Sequence, residues 1–313
     1  MTGIPAIPVT VGIACYSEAR WNLLIETIAS VQAQDHPHRI VVAVDHNPAL
    51  YQRLTQHYGD EIAVVENQHQ RGASGSRNTI GLAATTPLVV FLDDDTYADP
   101  GWLSALVAPL TAPGAERVVG AGGRILPVWH QAEPRWFPRE FGWVIGATRP
   151  ATSPEPYPVR NVWAASMIVR REVFVAVGGF RADFGKVGDL SEPEDTELCL
   201  RMARTAPGAL WLHVPSAVIR HHVPADRSGV AFFLRRCWLE GRGKAGLATL
   251  TRSRSDRAEA LSEESNYLRR VLPQGIRAYL RQGDAVGLAK AGMVLAGVAT
   301  TGLGFALGLV RSR

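Results

Sequence analysis

Cysteine is scarce in this chain. Cys15, Cys199 and Cys237 are an odd number with no C-x-x-C spacing, which argues against a disulfide framework and for a reducing compartment. Zinc-type spacings and RNA-module signatures are also missing, so nucleic acid is not an expected partner. No G-x-G-x-x-G follows the first apolar run, and no G-x-x-x-x-G-K-[ST] occurs anywhere. A dinucleotide dehydrogenase and a P-loop NTPase are both disfavoured. The opening MTGIPAIPVTVGIA has neither the basic start nor the apolar centre expected of a signal peptide. Charge of one sign is modest overall, at +4, but residues 235–281 hold eleven Arg/Lys against five Asp/Glu. That block suits an anionic membrane surface.

What is present is a strand–helix alternation. Val9–Cys15 is apolar and β-branched, with Ser17 a helix cap before Trp21, Leu24, Ile25, Ile28 and Val31 at helical spacing. Arg39–Asp45 is a second buried strand ending in a carboxylate. A helix near 49–57 and a strand near 62–65 follow. A Gly-rich polar loop, 71–78, opens a short helix to about residue 84. The pattern predicts an α/β fold with a mostly parallel sheet and helices on both faces.

The richest stretch is Leu88–Asp95, in which five apolar residues run into Asp93, Asp94 and Asp95. It reads as a strand buried on both faces, with its carboxyl end where open α/β sheets bind ligands. Alternation predicts Asp93 and Asp95 on one side and Asp94 on the other. Two carboxylates so placed are satisfied by a divalent cation bearing a diphosphate. The bland alternative is a solvated acidic turn, supported by Asp99-Pro100-Gly101.

Further along, Trp102–Leu110 reads as a helix, 117–126 as a strand, 161–170 as a strand and 171–177 as a helix. Residues 127–160 are proline-rich and carry Trp129, Trp136, Phe137, Phe141 and Trp143. This long segment is a loop or lid whose aromatics either form their own small core or stack on sugar. Ser191 and Glu194 fit a capping box for a helix running to about residue 204. Asp195 beside them is either a catalytic base or a dipole-stabilising surface carboxylate. Residues 209–214 and 217–221 read as two short strands, and His221-His222 as a metal ligand or a polar turn. A helix over 228–246 carries Arg235, Arg236, Trp238, Arg242 and Lys244, and 255–282 is charged and amphipathic. Residues 291–310 carry no charge but five glycines, with Gly304 and Gly308 at G-x-x-x-G spacing. The length suits a bilayer, and membrane attachment is favoured over a buried helix.

Taken in order, VGIACYSEARWNLLIETIASVQAQ, IVVAVDHN, RGASGSRNTIGLAATTPLVVFLDDDTYADPGWL, REVFVAVGGF and EPEDTELCLRM resemble an inverting family 2 glycosyltransferase of the GT-A fold. The resemblance covers residues 8–245. VDHNPAL, FPREFGWVIGATR, VRN and VIRHHVP resemble more closely the glucosyl-dolichyl phosphate glucuronosyltransferase-like enzymes. The resemblance implies a GT-A domain over 1–245 and a C-terminal helical region over 246–313 with its apolar tail at 291–310.

It also implies roles. Asp93 and Asp95 are the outer members of a D-x-D motif, with Asp95 and the distant His221 holding Mn2+ or Mg2+. Asp93, with Asp94 beside it, lies against the donor. Asp45 contacts the base or ribose, although His46 stands where the family has a second acidic residue. Glu18, Arg71 and Asn78 line the nucleotide pocket, and Arg235, Trp238 and Arg242 sit near the diphosphate. Asp195 is the general base, and Glu194 shapes the acceptor site. The implied partners are a nucleotide-sugar donor, UDP-linked, a glycan or polyprenyl-linked acceptor, and the cytoplasmic face of the cell membrane. The rivals are a sugar-1-phosphate nucleotidyltransferase, which lacks its Gly-rich basic loop here because Cys15-Tyr16-Ser17-Glu18 follows the first strand, and a catalytically silent membrane-bound sugar- or lipid-binding module.

Overall fold

The computed structural model describes residues 7–181, 184, 186–187, 190–191, 193–250, 253 and 260–311. Among these residues nine strands form one sheet: β1 (Val9–Cys15), β2 (His38–Val44), β3 (Ala63–Glu66), β4 (Leu88–Asp93), β5 (Thr96–Ala98), β6 (Val118–Trp129), β7 (Tyr157–Val159), β8 (Ser166–Arg170) and β9 (Leu210–Val223). Their order is β3-β2-β1-β4-β8-β6-β9-β5, with β7 on the edge of β9. The first four are parallel, with Val11 of β1 beside both Ile40 and Val90. From β4 onward the described pairings are antiparallel, with Val90 opposite Ile168 and Ile219 opposite Ala98.

Alternation along the central strands sends side chains to two cores. Val11, Ile13, Val42 and Val90 pack with Leu24 and Ile28 of α1 (Trp21–Gln32), Leu50 of α2 (Pro48–Tyr58) and Trp102 and Leu106 of α4 (Trp102–Thr111). Val41, Ala43, Val89 and Phe91 pack with Ile80 of α3 (Ala73–Ala83), Phe174 of α5 (Arg171–Ala176) and Leu198 and Met202 of α6 (Glu194–Ala203). Local chemistry sets the helix starts. Asn47 accepts from the Leu50 N–H, with Pro48 in the first turn of α2. Ser17 caps a short 3-10 turn at Glu18–Arg20 rather than α1 itself.

Several boundaries differ from the sequence pattern. Residues 161–165 are not strand. Val162 instead fills the space beside Gly122, where a Cβ would lie 2.4 Å from it, and the Ser166 N–H closes a turn onto the Trp163 carbonyl. The two strands expected around Pro215 are one, β9. Its described edge partners are β7 at Trp211–His213 and β5 at Ile219–His221, so Pro215 falls between them, where a missing N–H costs the ladder least.

Among the described residues, the chain divides into Met1–Leu126, Ala151–Val187 and Glu194–His221 as one compact unit, and Pro127–Pro150, Gly188–Pro193 and His222–Arg313 as another. The first holds the sheet. The second has its own core, in which Phe137, Phe141 and Val144 pack with Phe233 of α7 (Val230–Thr249), Tyr279 of α8 (Leu272–Gln282) and Val294 of α9 (Ala285–Arg311). The aromatics of the proline-rich segment thus form a core, and α7, expected within a 1–245 domain, belongs to the second unit.

Candidate active site

Strand β4 ends at Asp93, and the chain turns through Asp94 and Asp95 before β5. Thr96 closes the turn by donating its hydroxyl to the Asp93 carbonyl at 2.8 Å. Alternation therefore stops one residue too early to pair Asp93 with Asp95. Asp93 instead accepts from Nη2 of Arg77 at 2.9 Å. Asp94 and Asp95 share Nη1 of Arg20, at 2.7 and 3.1 Å. Asp94, expected on the opposite face, is buried with Asp95.

Arg77 joins two elements. Its Nη1 donates to Glu194 Oε1 at 3.1 Å and lies 3.9 Å from Asp195 Oδ1. The strand end and the first turn of α6 thus meet on one buried guanidinium, which the three surrounding carboxylates keep protonated against the cost of burial. Burial and the neighbouring Glu194 push the Asp195 carboxyl up to about 7, against the opposing pull of Arg77 and of a hydrogen bond from the Ala164 backbone. Asp195 Oδ1 has no hydrogen-bond partner among the described residues. The capping box expected at Ser191 involves a side chain outside those described, while the Glu194 carboxylate is bound to Arg77.

Asp95 Oδ1 lies 3.3 Å from Nε2 of His221, because β9 runs antiparallel to β5 with His221 opposite Thr96. A divalent cation fits this pair. Neighbouring ligands of an octahedral Mg2+-sized ion sit about 3 Å apart when each is about 2.1 Å from the metal. Asp94 Oδ2 is buried without a hydrogen-bond partner among the described residues, and burial with the adjacent Asp95 and Asp93 charges pushes this carboxyl up to about 7 despite Arg20. Five carboxylates thus surround two guanidiniums, a local excess of negative charge. Among the described residues no three His, Cys, Asp or Glu side chains converge as a complete metal cage. Two protein ligands supplemented by substrate phosphate and water is how Mg2+-type ions are held at nucleotide sites.

Asp45 organises the Gly-rich loop. Its Oδ1 accepts from Asn67 at 2.7 Å and contacts His46, and its Oδ2 accepts from the Gly72 N–H at 2.9 Å. Both oxygens expected to meet a base or ribose are thus engaged within the protein. Asn78 also differs from expectation, because its amide donates to the Phe180 carbonyl and accepts from the Phe180 N–H, both at 2.8 Å. It locks a loop instead of lining a pocket. Arg71 is exposed and donates to the His46 carbonyl, and Glu18 is exposed. Arg235, Trp238 and Arg242 lie on α7 of the second unit. In α3 the fit is tightest at Gly75, where a Cβ would come within 2.1 Å of the Gln70 carbonyl. Gly75→Ala is expected to lower stability by about 1–3 kcal/mol in urea denaturation; an unchanged midpoint would show that the loop yields freely.

Residues 10–178 match the model of glycosyl transferase family 2. The chain belongs to this family. It is 29% identical over 252 residues to the glucosyl-dolichyl phosphate glucuronosyltransferase of Haloferax volcanii, spanning 79% of this chain and 80% of that one. It is 25% identical over 242 residues to the succinoglycan biosynthesis protein ExoM of Rhizobium meliloti, spanning 74% and 72%. Among solved structures it is similar to the mannosyltransferase PcManGT from Pyrobaculum calidifontis in complex with GDP-Man and Mn2+, with a TM-score of 0.60 and 18% identity over 98% of this chain and 86% of that one. It is also similar to GalNAc-T7 with UDP, GalNAc and Mn2+, with a TM-score of 0.56 and 16% identity over 84% of this chain and 55% of that one. These structural likenesses bear on the fold, which is GT-A.

In this glycosyltransferase Glu194, Asp195 and His221 lie beyond the matched span, and only the folded chain brings them to the strand end. Sequence reasoning missed Arg77 and Arg20. The signal for Arg77 was its setting, an arginine in α3 among Ser74, Gly75, Ser76, Ile80 and Gly81, all buried. A charged residue on a small-residue helix face that must pack on a sheet needs buried counter-charges, and three aspartates stood within twenty residues of it.

Proposed function

We propose that this family 2 glycosyltransferase moves a sugar, glucuronic acid, from its UDP donor to a hydroxyl of a lipid-linked or glycan acceptor, with inversion at the anomeric carbon. The observation that carries this reading is Asp195, a partly exposed carboxylate whose buried Oδ1 has no hydrogen-bond partner among the described residues, held at the start of α6 by the Arg77 that also grips Asp93. The carboxyl ends of the strands receive the donor. Asp195 takes the proton from the acceptor hydroxyl as that oxygen forms its bond to the anomeric carbon, and UDP leaves with the electron pair of the breaking bond. Glu194 is bound to Arg77 and shapes the acceptor side, so no second carboxylate is invoked as a nucleophile and one displacement suffices.

Asp95 and His221 would hold Mn2+ or Mg2+, whose charge neutralises the departing diphosphate. Glu18 and Arg71 would border the nucleotide, with Asp45 holding the Gly-rich loop beside it. The choice of glucuronic acid and of a lipid-linked acceptor is supported by the relative named for glucosyl-dolichyl phosphate glucuronosyl transfer, and with such an acceptor the enzyme would work at a membrane, on its cytoplasmic face. UDP release from a panel of nucleotide sugars with Mn2+ tests the donor. UDP-glucuronic acid should turn over fastest, and no turnover with any UDP-sugar would overturn the reading. Asp95→Ala should weaken Mn2+-dependent UDP binding by more than about 10-fold, since even outer-shell changes at metal sites cost that much. Unchanged affinity in calorimetry would remove Asp95 from the metal site.

A further inference from the structure

Helix α9 is long and apolar enough to cross a bilayer, yet its packing forbids it to do so alone. One face of α9 lies backbone to backbone along α7. A Cβ at Gly304 would lie 2.4 Å from the Trp238 carbonyl oxygen, one at Gly308 2.6 Å from Ala245 Cβ, and one at Gly241 2.1 Å from the Thr301 carbonyl oxygen. The G-x-x-x-G spacing is thereby spent on α7. That helix carries Arg235, Arg236, Glu240, Arg242 and Lys244, and Lys244 pairs with Glu240 at 3.4 Å and Glu264 at 2.8 Å. A membrane-crossing α9 would drag this charged helix into hydrocarbon or tear the glycine seam open.

The opposite face of α9 has a different character. Leu295, Ala299, Leu303, Leu307 and Val310 are exposed in succession, with Leu303 at 61% and Val310 at 70%. The only charged side chain between Ala285 and Val310 is Lys290. Just before it, residues 265–284 include exposed Arg269, Arg270, Arg277 and Arg281 against one acidic residue, Asp284. Exposed Leu268 and Leu280 are interspersed among them. An apolar helix face next to an unbalanced run of arginines complements an anionic lipid surface.

We infer that α9 lies flat in the surface of an anionic bilayer, its leucine face inserted and its glycine face kept on α7. This deepens the lipid-linked-acceptor reading above and rests on it, since a chain bound to the bilayer would be where such an acceptor resides.

The test uses the full chain added to preformed vesicles of phosphatidylcholine with or without phosphatidylglycerol. Wild-type protein should sediment with the phosphatidylglycerol vesicles, and Leu295→Glu with Leu303→Glu should weaken that binding at least 10-fold. Cysteines introduced as Gln282→Cys and Ser312→Cys should both react with an impermeant maleimide from outside, since the native cysteines are buried. Protection of Ser312→Cys until the vesicles are permeabilised would show a crossing helix and overturn the inference. So would vesicle binding unaffected by the double glutamate variant, or a soluble dimer that the same variant splits. UDP release onto a soluble acceptor, measured on the same preparations, reports the catalytic reading separately. Its loss with membrane binding intact overturns that reading alone.

Discussion

Asp195→Asn should leave the protein folded and able to bind UDP with Mn2+, yet turn over about 10²–10⁴-fold more slowly, the range expected when a positioned general base is lost. Asparagine keeps the size of the side chain and its acceptor for the Ala164 N–H, but no longer takes a proton. Calorimetry of UDP binding beside single-turnover rates separates the two effects. Wild-type turnover in the variant would exclude Asp195 as the base. The same assignment sets the pH profile. The Asp195 carboxyl is raised to about 7 by burial and by Glu194, and only its ionised form accepts a proton. Below that value the working fraction should fall about tenfold per pH unit, and above it the rate should level. This limb should vanish from the residual activity of Asp195→Asn.

Arg77→Met should be the most destabilising single change at the site. It removes the cation that, among the described residues, Asp93, Glu194 and Asp195 share, and leaves their mutual repulsion unopposed by it in a largely buried setting. Breaking a buried ion pair from one side typically costs about 3–5 kcal/mol. The sign with pH follows from the cause. Repulsion among carboxylates fades as they take up protons, so the loss measured by urea denaturation should be larger at pH 8 than at pH 5. Arg77→Lys, which keeps the charge but not the two-armed reach, should fall between wild type and Met. Equal losses at both pH values would point to lost packing against Phe180, whose ring lies 5.5 Å from the guanidinium.

The fold was legible wherever burial alone dictated structure. β1, β2 and β4 are apolar runs buried on both faces, and their periodicity needs no long-range information. Legibility failed where a distant partner decided the outcome. Residues 161–165 have strand composition, but Val162 is claimed by Gly122 on another strand. Pro215 looked like a break, yet the gap between β7 and β5 absorbs it.

The site shows the same division. A strand ending in three aspartates was visible. The turn that sends Asp93 to Arg77 and Asp94 with Asp95 to Arg20 was not, because strand alternation does not extend through a turn. Asn78 was expected at the pocket only from the family resemblance, and its hold by Phe180, 102 positions away, could not be read locally. Asp195 beside Asp93, and His221 beside Asp95, are juxtapositions that only antiparallel return strands and a packed helix create.

The stereochemistry of the product tests the proposed chemistry most directly. With an α-linked UDP-sugar as donor, the anomeric proton of the first-formed product, followed by proton NMR, should show the coupling of a β-linkage. A single displacement with Asp195 as base allows no other result, and an α-linked product would contradict it.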